Sequence, residues 1–183
     1  KTYLLTAEFL ETRRKLIDPN EDRQKFQTKN LKLQSDLATN HETLREILIL
    51  SRKTTGWSNY QDKRLLVFVQ LVEMMETAIA NPVNYDRMDV LFKDHPQYIQ
   101  LFQDLIFEMA WQLRMISGAG NDKGKLLKNE KLKKDFEEVR REIVSVHETL
   151  GSEEYIMLQN FLGYQEKQFK KLKRIKLLLG DSS

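Results

Sequence analysis

The sequence predicts an all-α fold, an antiparallel bundle of five or six main helices in one domain over residues 1–183. Apolar residues recur at intervals of three and four along most of the chain, the spacing that keeps one helix face on a core. The chain has only 7 Gly and 3 Pro among 183 residues, which favours long uninterrupted segments. Nothing in the pattern indicates a strand.

Two helices are predicted before residue 54. The first ends before Pro19, because a residue that precedes proline is disfavoured in helical geometry. The second extends to about Lys53, and its inward residues are predicted to be Phe26, Leu33, Leu37, Leu44, Ile47 and Leu48. Asn30, Asn40 and His41 lie near this apolar stripe. They indicate a hydrated seam or a local bend, with a ligand contact as the alternative.

The stretch from Arg64 to Tyr85 is the most apolar of its length and is predicted to be the central helix around which the others pack. Leu66 and Val69 widen its apolar stripe almost to the full circumference. A helix that is apolar nearly all round is normally buried. In the predicted central helix, the residues that recur at three- and four-residue intervals are Leu65, Phe68, Val72, Met75 and Ile79. Pro82 ends it.

The second half of the sequence predicts a short helix over Asn84 to His95 and a long one from Pro96 to Ser117. A further amphipathic helix follows, with inward residues Leu132, Phe136, Val139, Ile143, Val146 and Leu150. Ser152 starts the last helix, whose inward residues are Tyr155, Leu158, Leu162, Phe169 and Leu172.

Composition excludes several classes of function. The absence of cysteine rules out disulfides and thiolate metal sites. A net charge of +3 is too small to demand a polyanion as partner. No run reaches the roughly 18 uncharged apolar residues that would span a bilayer. The chain begins at Lys1 and enters an apolar pattern at once, so we interpret it as a piece of a longer polypeptide.

Two carboxylates three residues apart, Glu73 and Glu76, are the sharpest polar feature of the central helix. A di-metal carboxylate bundle would also need Glu-x-x-His pairs, which the sequence lacks. The Gly-rich stretch Gly118 to Lys125 is predicted to be a surface loop, and its glycines lack phosphate-loop spacing. We therefore predict no catalytic, cofactor or metal site, and interpret Glu73 and Glu76 first as a contact between helices.

A basic tract follows on the last predicted helix, interleaved with apolar residues. It consists of Lys167, Lys170, Lys171, Lys173, Arg174 and Lys176. Three interpretations stay open: a solvated face, a nucleic-acid patch or a segment near anionic lipid. A second basic cluster, Arg13 to Lys15, lies in the first helix. If membrane spans flanked the chain, such clusters would favour its cytoplasmic side.

The run Val72-Glu73-Met74-Met75-Glu76, followed within ten residues by Tyr85, resembles the soluble domain of fusaric-acid-resistance-like (FUSC) inner-membrane proteins of the YccS/YhfK type. The run from Ile17 to Asp22 resembles the same family. Family members often have His and Arg on either side of the glutamate, where this chain has Met75 and Thr77, so only Glu76 matches.

The resemblance implies a non-enzymatic helical domain on the cytoplasmic side of an inner-membrane transport or efflux protein, in a family whose relatives export aromatic carboxylates. The expected partners are the transmembrane segments of the parent chain, a second copy of the chain and anionic lipid near the basic tract Lys167 to Lys176. The alternative is a free-standing scaffold or a nucleic-acid-binding module that uses this tract, which the small net charge disfavours.

Overall fold

The computed structural model describes residues 1–55, 59–119 and 128–180. This part of the chain forms seven helices and no strand, so the predicted all-α bundle is confirmed. The helices are α1 (Thr2–Leu16), α2 (Arg23–Thr55), α3 (Asn59–Ala80), α4 (Tyr85–Leu91), α5 (Pro96–Ala119), α6 (Glu130–Ser145) and α7 (Ser152–Gly180). Most of the predicted loops at 54–59 and 118–125 lies outside the described residues.

Local chemistry explains where the helices end. The chain leaves α1 through a turn in which the Asp18 amide donates to the Lys15 carbonyl, directly before Pro19. After α3, the Asn81 side-chain amide donates to the Thr77 carbonyl at 2.8 Å, which satisfies an acceptor of the last helical turn. Asn84 then caps α4 by accepting a 3.0 Å hydrogen bond from the Arg87 amide.

The predicted continuation of α6 to Leu150 is wrong, because the helix ends at Ser145. The Val146 carbonyl instead accepts from the Thr149 hydroxyl at 3.0 Å and from the Leu150 amide, which closes a turn. Val146 and Leu150 nevertheless pack, half-buried, against the core. The apolar repeat therefore predicted the burial of these residues correctly but not their backbone.

The central helix of the bundle is α5, not the predicted segment Arg64 to Tyr85. Twelve α5 side chains are buried and cover about 200° of its circumference at 100° per residue, and it packs against α1, α6 and α7. The buried stripe of α3 covers only about 120°, since Leu66, Val69 and Ile79 are exposed. Counting apolar residues overestimated how much of α3 the fold covers.

The predicted inner face of α2 is confirmed at Leu33, Leu37 and Leu48, which are buried. The prediction that Ile47 faces inward is wrong, because its side chain is 54% exposed. His41 occupies the inner face and packs edge-on against Phe68, with ring centroids 5.7 Å apart. The predicted polar seam is thus a buried histidine next to a contact between α2 and α1. In that contact, the Thr2 hydroxyl donates to the Asn40 side-chain oxygen at 2.5 Å.

Cross-helix contacts define the helix directions. Glu11 binds Arg114 at 2.7 Å while Arg14 donates to the Gln103 carbonyl, so α1 and α5 are antiparallel. Gln168 donates to the Met74 carbonyl at 2.9 Å and Lys171 binds Glu73, so α3 and α7 are antiparallel as well.

Length and apolar composition decide whether a helix can span a bilayer, and the described helices were compared with both requirements. None of them meets both alone, and one pair, Asp62–Ala80 with Tyr85–Leu91, meets them together across a bend of 67°.

Leu113→Ala and Leu66→Ala form a matched pair that tests the central position of α5. Leu113 is fully buried and Leu66 is 42% exposed. We expect Leu113→Ala to lower the free energy of unfolding by about 2–5 kcal/mol, because it leaves a cavity. Leu66→Ala should cost well under half as much. Urea unfolding followed by circular dichroism measures both, and equal losses would contradict the assignment of α5 as the central helix.

Candidate functional site

A groove of about 640 Å³ opens where the chain breaks between α3 and α4. The break follows from Pro82, which cannot continue α3, and from Asn84, which starts α4. The segment 80–84 forms one wall, and the first half of α7 forms the other. The groove is therefore a direct product of the interrupted helix.

The groove combines an apolar floor with polar edges. Met88, Ile156 and Met157 supply apolar surface, while Asn84 and other amides supply donors and acceptors. The remaining polar lining includes Asn81, Glu153, Gln159, Asn160 and Lys167. Lys167 is the cationic group of the lining. Such a surface suits a molecule with an apolar body and a polar or anionic end.

A second cavity lies beside the groove and shares Val83, Phe161 and Tyr164 with it. Its volume is about 10 Å³, enough for one water molecule. Arg13 and Tyr85 line its other side. It is too small for a ligand, so it is not a second binding site.

Arg13 joins α1 to this wall. Its guanidinium donates to the Asn81 carbonyl at 3.0 Å and lies 5.5 Å from the centre of the Tyr164 ring. The hydrogen bond satisfies a carbonyl that the broken α3 leaves without a helical partner. The cation–π contact holds Tyr164 of α7 against the same side chain. One arginine therefore ties α1, the break and α7 together.

Tyr85 lies between two arginines at the start of α4. Arg23 lies 5.3 Å from the Tyr85 ring and pairs with Asp89 through two hydrogen bonds of 2.5 and 3.0 Å. Burial raises the pKa of the Tyr85 phenol, although the nearby Arg13 guanidinium opposes this shift. The phenol is thus a neutral donor at physiological pH, beside fixed positive charge.

The predicted pair Glu73 and Glu76 does not belong to this groove. The Glu73 carboxylate accepts from the Lys171 ammonium at 2.8 Å, which links α3 to α7. Glu76 is exposed. Both partners of the ion pair are partly exposed, so it contributes about 1 kcal/mol or less.

The six basic residues of α7 do not share one face. Lys167, Lys170 and Arg174 are exposed, and Lys167 also reaches the groove. Lys173 is half-buried, with its ammonium 4.6 Å from the centre of the Phe169 ring. Lys171 is held by Glu73. The basic surface is therefore smaller than the sequence predicted.

The prediction that Lys176 belongs to the exposed basic face is wrong. Its side chain is only 7% exposed and points into the bundle. Its ammonium donates to the Gln112 side-chain oxygen at 2.6 Å. Burial lowers the pKa of Lys176 to about 8, although Glu108 and Glu130 oppose this shift. Its closeness in sequence to five other basic residues assigned it to the basic tract, although its spacing from Phe169 and Leu172 places it on the inner face. Its inward partner, Gln112 of α5, is distant in sequence and could not be predicted.

The second basic cluster is also used within the bundle. Arg14 donates to the Gln103 carbonyl at 3.1 Å, and Lys15 lies 3.2 Å from the Glu21 carboxylate. Sequence reasoning noted Arg13 only as part of this cluster and missed Tyr164 altogether. The available signal was weak: an arginine next to the last apolar turn of α1.

Among residues 1–55, 59–119 and 128–180, no group of three or more His, Asp or Glu side chains is placed to hold a metal ion.

The chain is similar to a known family of proteins. Residues 1–175 match a family model described as FUSC-like inner membrane protein yccS. The chain therefore belongs to this FUSC-like family of inner-membrane proteins, and the resemblance seen in the sequence is confirmed. No curated protein and no solved structure matches the chain.

Lys176→Met tests the buried ammonium through the pH dependence of stability. Folded Lys176 loses its proton near pH 8, whereas an unfolded lysine keeps it to about pH 10.4. The unfolded state therefore binds more protons between these values, and this lysine makes the wild type more stable as pH rises from 8 to 10. Below about pH 8 both states are protonated and the contribution is flat.

We expect Lys176→Met to lose this rise, and the exposed Lys170→Met to keep it. Urea unfolding between pH 7 and about pH 10 measures the difference. Burial raises the pKa of Tyr3 to about 12, and its opposite contribution begins only above about pH 10. Identical slopes for wild type and Lys176→Met would contradict the buried state of this ammonium.

Proposed function

We propose, from the membership of the chain in the FUSC-like family of inner-membrane proteins, that it forms a non-catalytic domain of a FUSC-type transport protein. The domain lies on the cytoplasmic side of the membrane. It contacts the transported compound in the groove between the α3–α4 break and α7. The observation that carries the proposal is the family match over residues 1–175.

The chemistry of the groove supports a role in cargo contact. Its apolar floor, Met88 and Ile156, accommodates a flat hydrocarbon body, and the Lys167 ammonium at the rim attracts an anion. The family resemblance implies aromatic carboxylates as cargo, and these have both features. Because the groove is open to solvent, binding is expected to be weak and reversible, as transport requires.

The cytoplasmic placement is supported by surface charge. Lys167, Lys170 and Arg174 form an exposed row on α7 with three- and four-residue spacing. Lys and Arg near membrane spans favour the cytoplasmic side, and they are attracted to its anionic lipid. Three exposed cations attract anionic lipid only modestly. This suits a domain that the membrane segments of its parent chain also hold near the membrane.

Protease accessibility tests the placement. In a native cell that produces the full-length protein, we expect this domain in the membrane fraction, intact in spheroplasts and cleaved in inverted inner-membrane vesicles. A periplasmic reporter protein, cleaved only in spheroplasts, is the control. Cleavage of this domain in intact spheroplasts would place it on the other side and overturn the proposal.

Lys167→Glu tests the groove. We expect benzoate to shift the amide NMR signals of groove residues in the purified chain at millimolar concentration. Lys167→Glu should weaken this binding about tenfold, because one attractive charge becomes repulsive. Lys170→Glu makes the same charge change outside the groove and should leave binding within about twofold of wild type. Equal effects of the two variants would show a general charge effect and exclude the groove.

A further inference from the structure

The C-terminal part of α2 extends beyond α1, the helix that packs against its preceding part. Thr2 at the start of α1 binds Asn40, so residues 41–55 of α2 continue past the first turn of α1. At about 1.5 Å per residue this is roughly 20 Å of helix. The inner face of α2 stays packed on α3 there, through His41 and Phe68. We name residues 41–55 of α2 the arm.

The outer face of α2 in the arm is apolar and exposed. Ile47 is 54% exposed and Leu50 is 63% exposed. With Thr43 they follow a four- and three-residue spacing and lie within an arc of about 60°. No charged residue lies within this arc. The spacing is that of a seam between two packed helices.

Charges flank this seam on one edge only. Glu42, Glu46 and Lys53 are all exposed and lie within about 40° of one another around α2. The two carboxylates lie on the N-terminal side of the seam, and the ammonium lies on the C-terminal side. Arg45 and Arg52, by contrast, lie almost opposite the seam.

We propose that this face binds a second copy of the same chain, as an antiparallel pair of α2 helices about a two-fold axis between Ile47 and Leu50. Such an axis brings Ile47 of one copy against Leu50 of the other. It also places Lys53 of one copy beside Glu42 and Glu46 of the other, twice by symmetry. The face is therefore complementary to itself in both shape and charge, as an isologous interface requires.

The same charges argue against an anionic bilayer as the occupant. Glu42 and Glu46 border the apolar face and would be repelled by lipid phosphates. The arginines of this segment, Arg45 and Arg52, point away from the seam. The contact is short, so the dimer is expected to form in the micromolar range. It goes beyond the proposed function, because it uses neither the groove nor the basic row on α7.

Sedimentation velocity of the purified chain over a hundredfold range of concentration tests the proposal. We expect a monomer–dimer equilibrium. Leu50→Glu should abolish the dimer, because it buries two carboxylates at the axis. Glu46→Lys and Lys53→Glu should each weaken the dimer about tenfold, since each places like charges together. The triple variant Glu42→Lys, Glu46→Lys and Lys53→Glu restores opposite charges at every pair and should recover the affinity to within about threefold of wild type.

Glu138→Lys is the matched control, because it reverses an exposed carboxylate on α6, away from the arm, and should leave the dimer unchanged. Circular dichroism checks that each variant is folded. A monomer at every concentration would overturn the proposal, as would a dimer that survives Leu50→Glu. Binding of the wild type to vesicles of anionic phosphatidylglycerol, lost in Leu50→Glu and without a dimer, would reassign the face to lipid.

Discussion

Burial of α5 over more than half of its circumference is the constraint on which the rest of the bundle depends. A helix with so many apolar side chains can bury them only if α1, α6 and α7 all pack against it. Polar side chains then set the register of these contacts: Arg114 with Glu11 on α1, and Gln112 with Lys176 on α7. Since these partners cross between helices, each fixes a position along the axis that apolar packing alone would leave free to slide.

The break after α3 follows from a different constraint. Proline cannot continue a helix, so Pro82 leaves the last carbonyls of α3 without helical donors. Arg13 supplies one of the missing donors from another helix. The groove is therefore a result of satisfying broken backbone hydrogen bonds, and its polar edge includes the side-chain amides of Asn81 and Asn84, which cap the two helix ends.

Sequence reasoning succeeded where the physics is local. The ends of α1 at Leu16 and of α3 at Ala80 follow from Pro19 and Pro82, and the inner face of α6 up to Ile143 follows from its repeat. It failed where a distant residue decides. Nothing near Lys176 reveals that Gln112 will meet it, and nothing near Ile47 reveals that α1 starts too late to cover it. The groove is non-local in the same sense, because Arg13 and Tyr164 meet only in the folded chain.

The groove and the arm lie at opposite ends of α3. The groove lies at its C-terminal break, and the arm packs against its N-terminal half. A helix of 22 residues spans about 33 Å, so neither surface can touch the other directly. Any influence of dimerisation on cargo contact would have to pass along α3, whose buried stripe rests on α7, the other wall of the groove. The Glu73–Lys171 ion pair joins α3 and α7 between the two surfaces, so a shift of one helix along the other would change the distance between its charged groups.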